Sequence, residues 1–357
     1  MKTAFFAILL LIPIYATTQS PCGGTRGPIP FREQGEWGYV SEKGVVIPPL
    51  FDLAGPFGSE GAIVCVGSYC GAINSSGSFV APLWERGSRP IPMSNYSEGL
   101  ASATDKNEQW GYIDRIGRVA IPFQFKYAGM FQDGIARVRL GDKFFFIDKT
   151  GSRVTPEFDG AFDFHEELAA VIVDKGVGYI RRDGSFALPA QYRSASGIDF
   201  SEGVVAIRVN EKVGFMDRYG NVVIEPKYDD VYAFSDGLAP VRMGDKWGYV
   251  DHAGNVVIPI KYQIGHMFSE GMASVRQDDK WGYIDKTGQF VIPLTFDSAM
   301  PFCGGVATVE TFAKVPGTSG RPCRGELLKG KHGIIDHSGK YVWRDADDQT
   351  WSPPFCD

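Results

Sequence analysis

Between Leu238 and Pro259 the chain runs in short apolar stretches broken by glycine and aspartate. Leu238–Met243 and Lys246–Val250 are both rich in strand-forming residues, with Gly244-Asp245 between them. Two residues of this kind between β-prone runs predict a hairpin, because primed turns need a left-handed backbone and match the twist of paired strands. In that register Met243 faces Lys246 and Arg242 faces Trp247. Asp251-His252-Ala253-Gly254 comes next. An aspartate that bonds the backbone ahead of it, with a left-handed glycine three residues on, predicts a type I turn with a bulge. The run Asn255–Ile258 stops at Pro259, which has no amide to give a ladder and belongs at a strand end or edge. An aromatic, Tyr262, and a Phe268-Ser269-Glu270-Gly271 corner complete the unit.

Copies of this pattern recur about every 34 residues, marked at Trp37, Cys70, Trp110, Phe144, Val177, Val213, Trp247, Trp281 and His332. A fixed period of this length is the signature of a repeat architecture, in which each unit buries its apolar face on its neighbours. Glycine follows every marker except Phe144, where Phe145 stands instead. A strand glycine leaves room for close approach by a neighbouring backbone or ring. The four indoles are expected to pack between copies, since a Trp buries roughly 150–250 Å².

The array is all-β, tandem three-stranded meanders spanning 37–340 with an insertion at 303–331, between a lead-in at 21–36 and a tail at 341–357. Three strands in about 34 residues favour an open twisted solenoid. A closed propeller-like ring is the alternative, although its blades usually need four strands in about 40–45 residues.

The pairs Trp37-Gly38, Trp110-Gly111, Trp247-Gly248 and Trp281-Gly282, with the degenerate copies between them, resemble the WG-repeat family of bacterial tandem β-repeats. The resemblance implies a β-rich scaffold without an assigned catalytic centre, so it carries no active-site residues or cofactor onto this chain.

The first 20 residues hold one lysine, an apolar run and then small residues, the pattern of a secretory signal peptide. Cleavage is expected between Ala16 and Ser20. Gln19-Ser20-Pro21 ahead of Cys22 lacks the small and aliphatic residues of a lipid-attachment motif, so anchoring is not expected. No later segment is long and apolar enough for a transmembrane helix. The formal charge of −6 disfavours nucleic acid and anionic lipid as partners.

Six cysteines behind an export signal predict disulfides. The hairpin around Gly67-Ser68 sets Cys65 opposite Cys70 at a non-hydrogen-bonded site, within disulfide reach. Cys303 and Cys323 flank the insertion and form the second expected pair. A Cys22–Cys356 bridge would then join the chain ends, which suits a ring and not an open stack.

Three features are candidates for chemistry. The first is the corner carboxylates Glu60, Glu98, Asp133, Glu166, Glu202, Asp236 and Glu270, which stacking would align as a cation-binding or sugar-binding edge, or as turn caps keeping an edge soluble. The second is His165-Glu166-Glu167, which departs from the corner pattern. The third is the basic insertion Thr311–Lys329, whose Lys314, Arg321 and Arg324 are a candidate binding loop. No histidine or cysteine set has metal-ligand spacing, and no nucleophile or phosphate-binding motif occurs in a usable setting. The reading is an exported, non-catalytic scaffold that binds a protein or an envelope polysaccharide. The alternative is a glycan-acting hydrolase using a carboxylate pair.

Overall fold

The computed structural model describes residues 27–58, 60–80, 83–85, 91–92, 94–192, 198–312, 328–345 and 349–351. The expected signal peptide, Cys22, Cys323, Cys356 and the loop residues Lys314, Arg321 and Arg324 lie outside them. Among the described residues the chain forms nine antiparallel sheets of three to five strands, each drawn from consecutive sequence. In the seventh the strands are Asp230–Val231, Ala239–Met243, Lys246–Val250 and Val256–Tyr262, hydrogen-bonded in that order. Met243 faces Lys246 and Arg242 faces Trp247, as the hairpin predicts. Asp251 Oδ1 accepts the amides of Ala253 and Asn255 at 3.0 and 2.8 Å, and Gly254 takes φ 80°.

The two-residue first strand was not legible. It follows the last strand of the preceding sheet after a single residue, Asp229 between Tyr228 and Asp230. A crossing this short fits a fourth strand into about 34 residues, which removes the length argument against a propeller.

The nine sheets are the blades of a closed ring, and the open solenoid is corrected accordingly. Each of nine hydrophobic clusters lies between two adjacent sheets. Between the sixth and seventh, Phe215, Ile224 and Tyr228 pack with Val231, Phe234 and Val241. The ninth cluster closes the circle: Phe31 and Val40 of the first sheet pack with Val306, Ile334 and Trp343 of the last. The rings of Phe31 and Trp343 are 5.0 Å apart. The array therefore extends into both flanking stretches, with Ile29–Glu33 pairing in the first sheet and Tyr341–Arg344 in the ninth.

The indoles pack at blade junctions, Trp281 within one cluster and Trp37 and Trp110 against two others, but not all to the same depth. Trp247 and Trp281 are buried, but Trp37 and Trp110 are only half-buried. Wholly buried instead is the tyrosine two residues on: Tyr39, Tyr112, Tyr249 and Tyr283. Each donates its hydroxyl to a carbonyl of the following blade, that of Gly55, Gly129, His266 and Met300 respectively, at 2.8–2.9 Å. Strand alternation puts Trp and Tyr on the same face, and position along the strand separates them: Trp sits near the hairpin end and Tyr further in.

The glycine between them answers to a backbone, not a ring. The fourth strand bulges at its proline, so that Trp247 pairs with Tyr262 while Tyr249 pairs with Ile258. A Cβ on Gly248 would lie 2.7 Å from the Ile258 carbonyl oxygen and from Ile260 Cα. Where Phe145 replaces this glycine, the matching stretch makes only the isolated bridges Phe144–Phe158 and Ile147–Arg153, and the fourth blade keeps three strands.

Candidate functional site

The corner carboxylates are joined blade to blade. From Glu98 onward the corner acids are held in the left-handed region, as at Glu202 with φ 52° followed by Gly203 with φ 81°. Glu202 accepts the amide of Gly237 in the next blade at 3.1 Å from both oxygens. The same bond links Glu60 to Gly99, Glu98 to Gly134, Glu166 to Gly203, Asp236 to Gly271 and Glu270 to Gly305. The corner serine adds a second link, Ser201 Oγ donating to the Phe234 carbonyl at 2.8 Å.

Most of these carboxylates also meet a basic side chain from the next blade's aspartate turn. Arg115 lies 2.9 Å from Glu60, Lys149 2.8 Å from Glu98, His252 3.3 Å from Glu202 and His337 3.0 Å from Glu270. Each of these bonds holds the next blade's corner, the turn-cap role extended between blades. His165-Glu166-Glu167 interrupts the pattern: ahead of it Asp133 pairs with Arg182 at 2.6 Å. A cleft of about 620 Å³ opens there between Glu166, Arg181, Arg182 and Arg218. Its arginines are engaged by Asp133, by the Glu166 carbonyl and by the Phe186 carbonyl. Among the described residues no group of three or more His, Cys, Asp and Glu side chains is placed to hold a metal ion.

A second set of acids stitches the hairpin ends. Asp229 accepts the Gly244 amide and a Lys212 ammonium hydrogen, both at 2.6 Å, and Asp297 does the same with Phe312 and Lys280. The Cys65–Cys70 bridge spans one such hairpin, Cα to Cα 4.0 Å. Cys303 is also disulfide-bonded, with its partner outside the described residues.

The cleft that breaks the ring's symmetry lies at the seam, where the hairpin ends of the first and ninth blades meet. It measures about 680 Å³ and is lined by Arg32, Trp37, Glu310, Lys331, His332 and Asp345 together with Phe31 and Phe312. Regular blades set an arginine against the marker aromatic: Arg242 against Trp247, Arg276 against Trp281 and Arg32 against Trp37. The Arg32 guanidinium lies 5.8 Å from the Trp37 ring centre. In the ninth blade both partners differ, and Glu310 faces His332. One wall thus keeps the cation and indole, while the other carries a carboxyl and an imidazole.

Burial sets the protonation of that wall. It raises the Glu310 carboxyl, a rise reinforced by nearby Asp297 and opposed by a hydrogen bond with Ser298. Burial also raises Asp345 and lowers His332, which favours a neutral imidazole. Sequence reasoning marked Trp37 and His332 only as repeat positions and passed over Arg32, Glu310 and Asp345. The exchange of Arg-Trp for Glu-His was the available signal. The insertion springs from this rim, between Phe312 and Leu328.

Seven WG containing repeats are recognised, at residues 37–68, 110–144, 144–175, 178–212, 214–247, 247–281 and 281–311. No curated protein matches the sequence. Among solved structures, that of a eukaryotic initiation factor is similar at 12% identity and TM-score 0.59, over 90% of this chain and 98% of that one. At this identity the likeness concerns the fold alone. The computationally designed Ika8 protein matches at 12% identity and TM-score 0.44, over 81% of this chain and 94% of its own. BamB from Moraxella catarrhalis matches at 9% identity and TM-score 0.44, over 84% and 95%. With its repeats spread over most of the ring, the chain belongs to the family of proteins built from WG containing repeats.

Proposed function

We propose that this protein is an exported, non-catalytic scaffold whose ring binds an envelope polysaccharide. A repeat-based binding scaffold is what the family and the fold support. The observation that carries the finer reading is where the symmetry fails. The repeated carboxylates link blade to blade, whereas the seam cleft combines a half-buried indole with mixed hydrogen-bonding groups. A concave site with apolar walls and a few convergent polar groups is the usual form of a small-ligand pocket. The disulfide at Cys65–Cys70 fits an oxidising compartment. Among the described residues no helix is long and apolar enough to cross a membrane.

Screening the mature protein against envelope and plant polysaccharides, for retention and for turnover, tests the reading. Retention without released products supports the scaffold. The hydrolase alternative draws on one observation, that two carboxyls with raised pKa line the same cleft. Turnover abolished by Glu310→Gln would establish it instead. A protein partner is the remaining outcome, indicated by retention on an envelope protein and on no glycan.

A further inference from the structure

The seam cleft joins two walls of unlike chemistry, and no other blade junction among the described residues repeats the combination. Arg32 and Lys331 supply donors, Glu310 and Asp345 supply acceptors, and His332 offers one of each as a neutral ring. The cleft sets groups of both signs side by side, so it presents no single-sign field that would select an ion. A sugar ring has hydroxyls that both donate and accept, and one face of axial C–H groups that packs on an aromatic surface. The half-buried Trp37 ring is the aromatic surface lining the cleft, with the Arg32 guanidinium over it 5.8 Å from its centre.

We infer that the seam cleft is a binding subsite for one neutral, polyhydroxylated sugar unit, with Trp37 as its platform and Arg32, Glu310, His332 and Asp345 as its hydrogen-bonding groups. This inference rests on the polysaccharide reading above and names where on the ring that ligand is held. It also gives the ring closure a role, because half of the subsite comes from residues near each end of the array. Residues Pro30–Trp37, Thr308–Phe312, Lys331, His332 and Asp345 become one site only when the first and ninth blades meet.

The test is titration of the full mature chain with methyl β-glucoside, methyl β-galactoside and N-acetylglucosamine, beside glucuronic acid and glucosamine, followed by nuclear magnetic resonance. Saturable shifts of the Trp37 indole with at least one neutral sugar, and weaker ones with both charged sugars, are expected. Glu310→Gln and Asp345→Asn keep side-chain shape and should weaken binding about tenfold each, the scale of losing an anchoring contact. Trp37→Ala should abolish it, while Trp110→Ala, at the same repeat position in the third blade, should leave it unchanged. Saturable binding untouched by all three seam variants would overturn the subsite and leave the polysaccharide reading standing. Retention on a polysaccharide without response to any single sugar would also overturn it. Failure of the wild-type chain both to respond to sugars and to be retained would overturn the two together.

Discussion

Both carboxylate oxygens of Glu202 lie 3.1 Å from the amide of Gly237, 35 residues away, and thereby tie the sixth blade to the seventh. The bond repeats around most of the ring, so each blade's corner is completed by its predecessor. Glu202→Ala should lower stability by about 1 kcal/mol, the value of a charge-assisted bond at a partly exposed position. Glu202→Gln should cost less. Urea midpoints of the two variants give the comparison, and an unchanged midpoint for alanine would show that the link contributes nothing.

Gly248→Ala should cost about 3 kcal/mol, at the upper end for overpacking, because the new methyl would meet main chain and not a movable side chain. Gly237→Ala, at φ 85° with nothing within 4 Å of the new methyl, should cost less, through backbone strain alone. Denaturant midpoints of both variants measure the difference, and a reversed order would refute the close-approach account.

Tyr249→Ala should be more damaging than Trp247→Ala, and Trp110→Ala the mildest of the three. Removing a fully buried aromatic costs about 3–5 kcal/mol, and Tyr249 also leaves the His266 carbonyl without its hydroxyl. Thermal unfolding of the three variants orders them. If either indole variant proved the most destabilising, depth of burial would not set the order.

Acid should weaken the protein in two stages. Burial lowers His266 from 6.5 to about 4, where its ring is stacked on Trp281 and bonded to Ser274. The unfolded chain then binds the extra proton between pH 6.5 and about 4, so stability falls as pH falls through that window. His266→Gln should flatten the dependence there. The turn aspartates behave differently. Asp251 is held below its ordinary value chiefly by Asn255, Asp285 by Thr287 and Asp336 by Ser338. A depressed carboxylate contributes above its unfolded pKa and loses that contribution as pH drops further, so the second stage begins below about pH 4. Urea midpoints at stepped pH separate the stages; a wild-type curve level from 6.5 to 4 would contradict the buried-histidine account.

Selective loss of the Cys65–Cys70 bridge, in the double Cys65→Ser, Cys70→Ser variant, should lower stability by about 2 kcal/mol, the chain-entropy value for so short a loop. The rest of the ring should keep its far-ultraviolet circular dichroism. Differential calorimetry supplies the stability change.

Much of each blade was legible because it depends on neighbours in sequence. Gly244-Asp245 set the pairing of Arg242 with Trp247, and the same reasoning placed Cys65 opposite Cys70. The aspartate turns followed from one side chain and the amides just ahead of it. The two-residue strands were missed because Asp230–Val231 is too short to show a period and its partner lies beyond a corner. The unequal depth of the indoles was not legible because size was weighed without position along the strand. Tyr249, two residues on from Trp247, is the more deeply buried ring.

From its residues alone, the chain determined a repeated hairpin, its turns, its register and the kind of residue each position holds, since all of these act within one copy. Tertiary structure decided the rest: that the copies close on themselves, that the corner acids link blade to blade, and that Arg32 and Trp37 come to face Glu310 and His332. A repeat states what stacks, but the rotation between neighbours arises from how their side chains interlock, and only that rotation, summed around nine blades, brings Phe31 to Trp343.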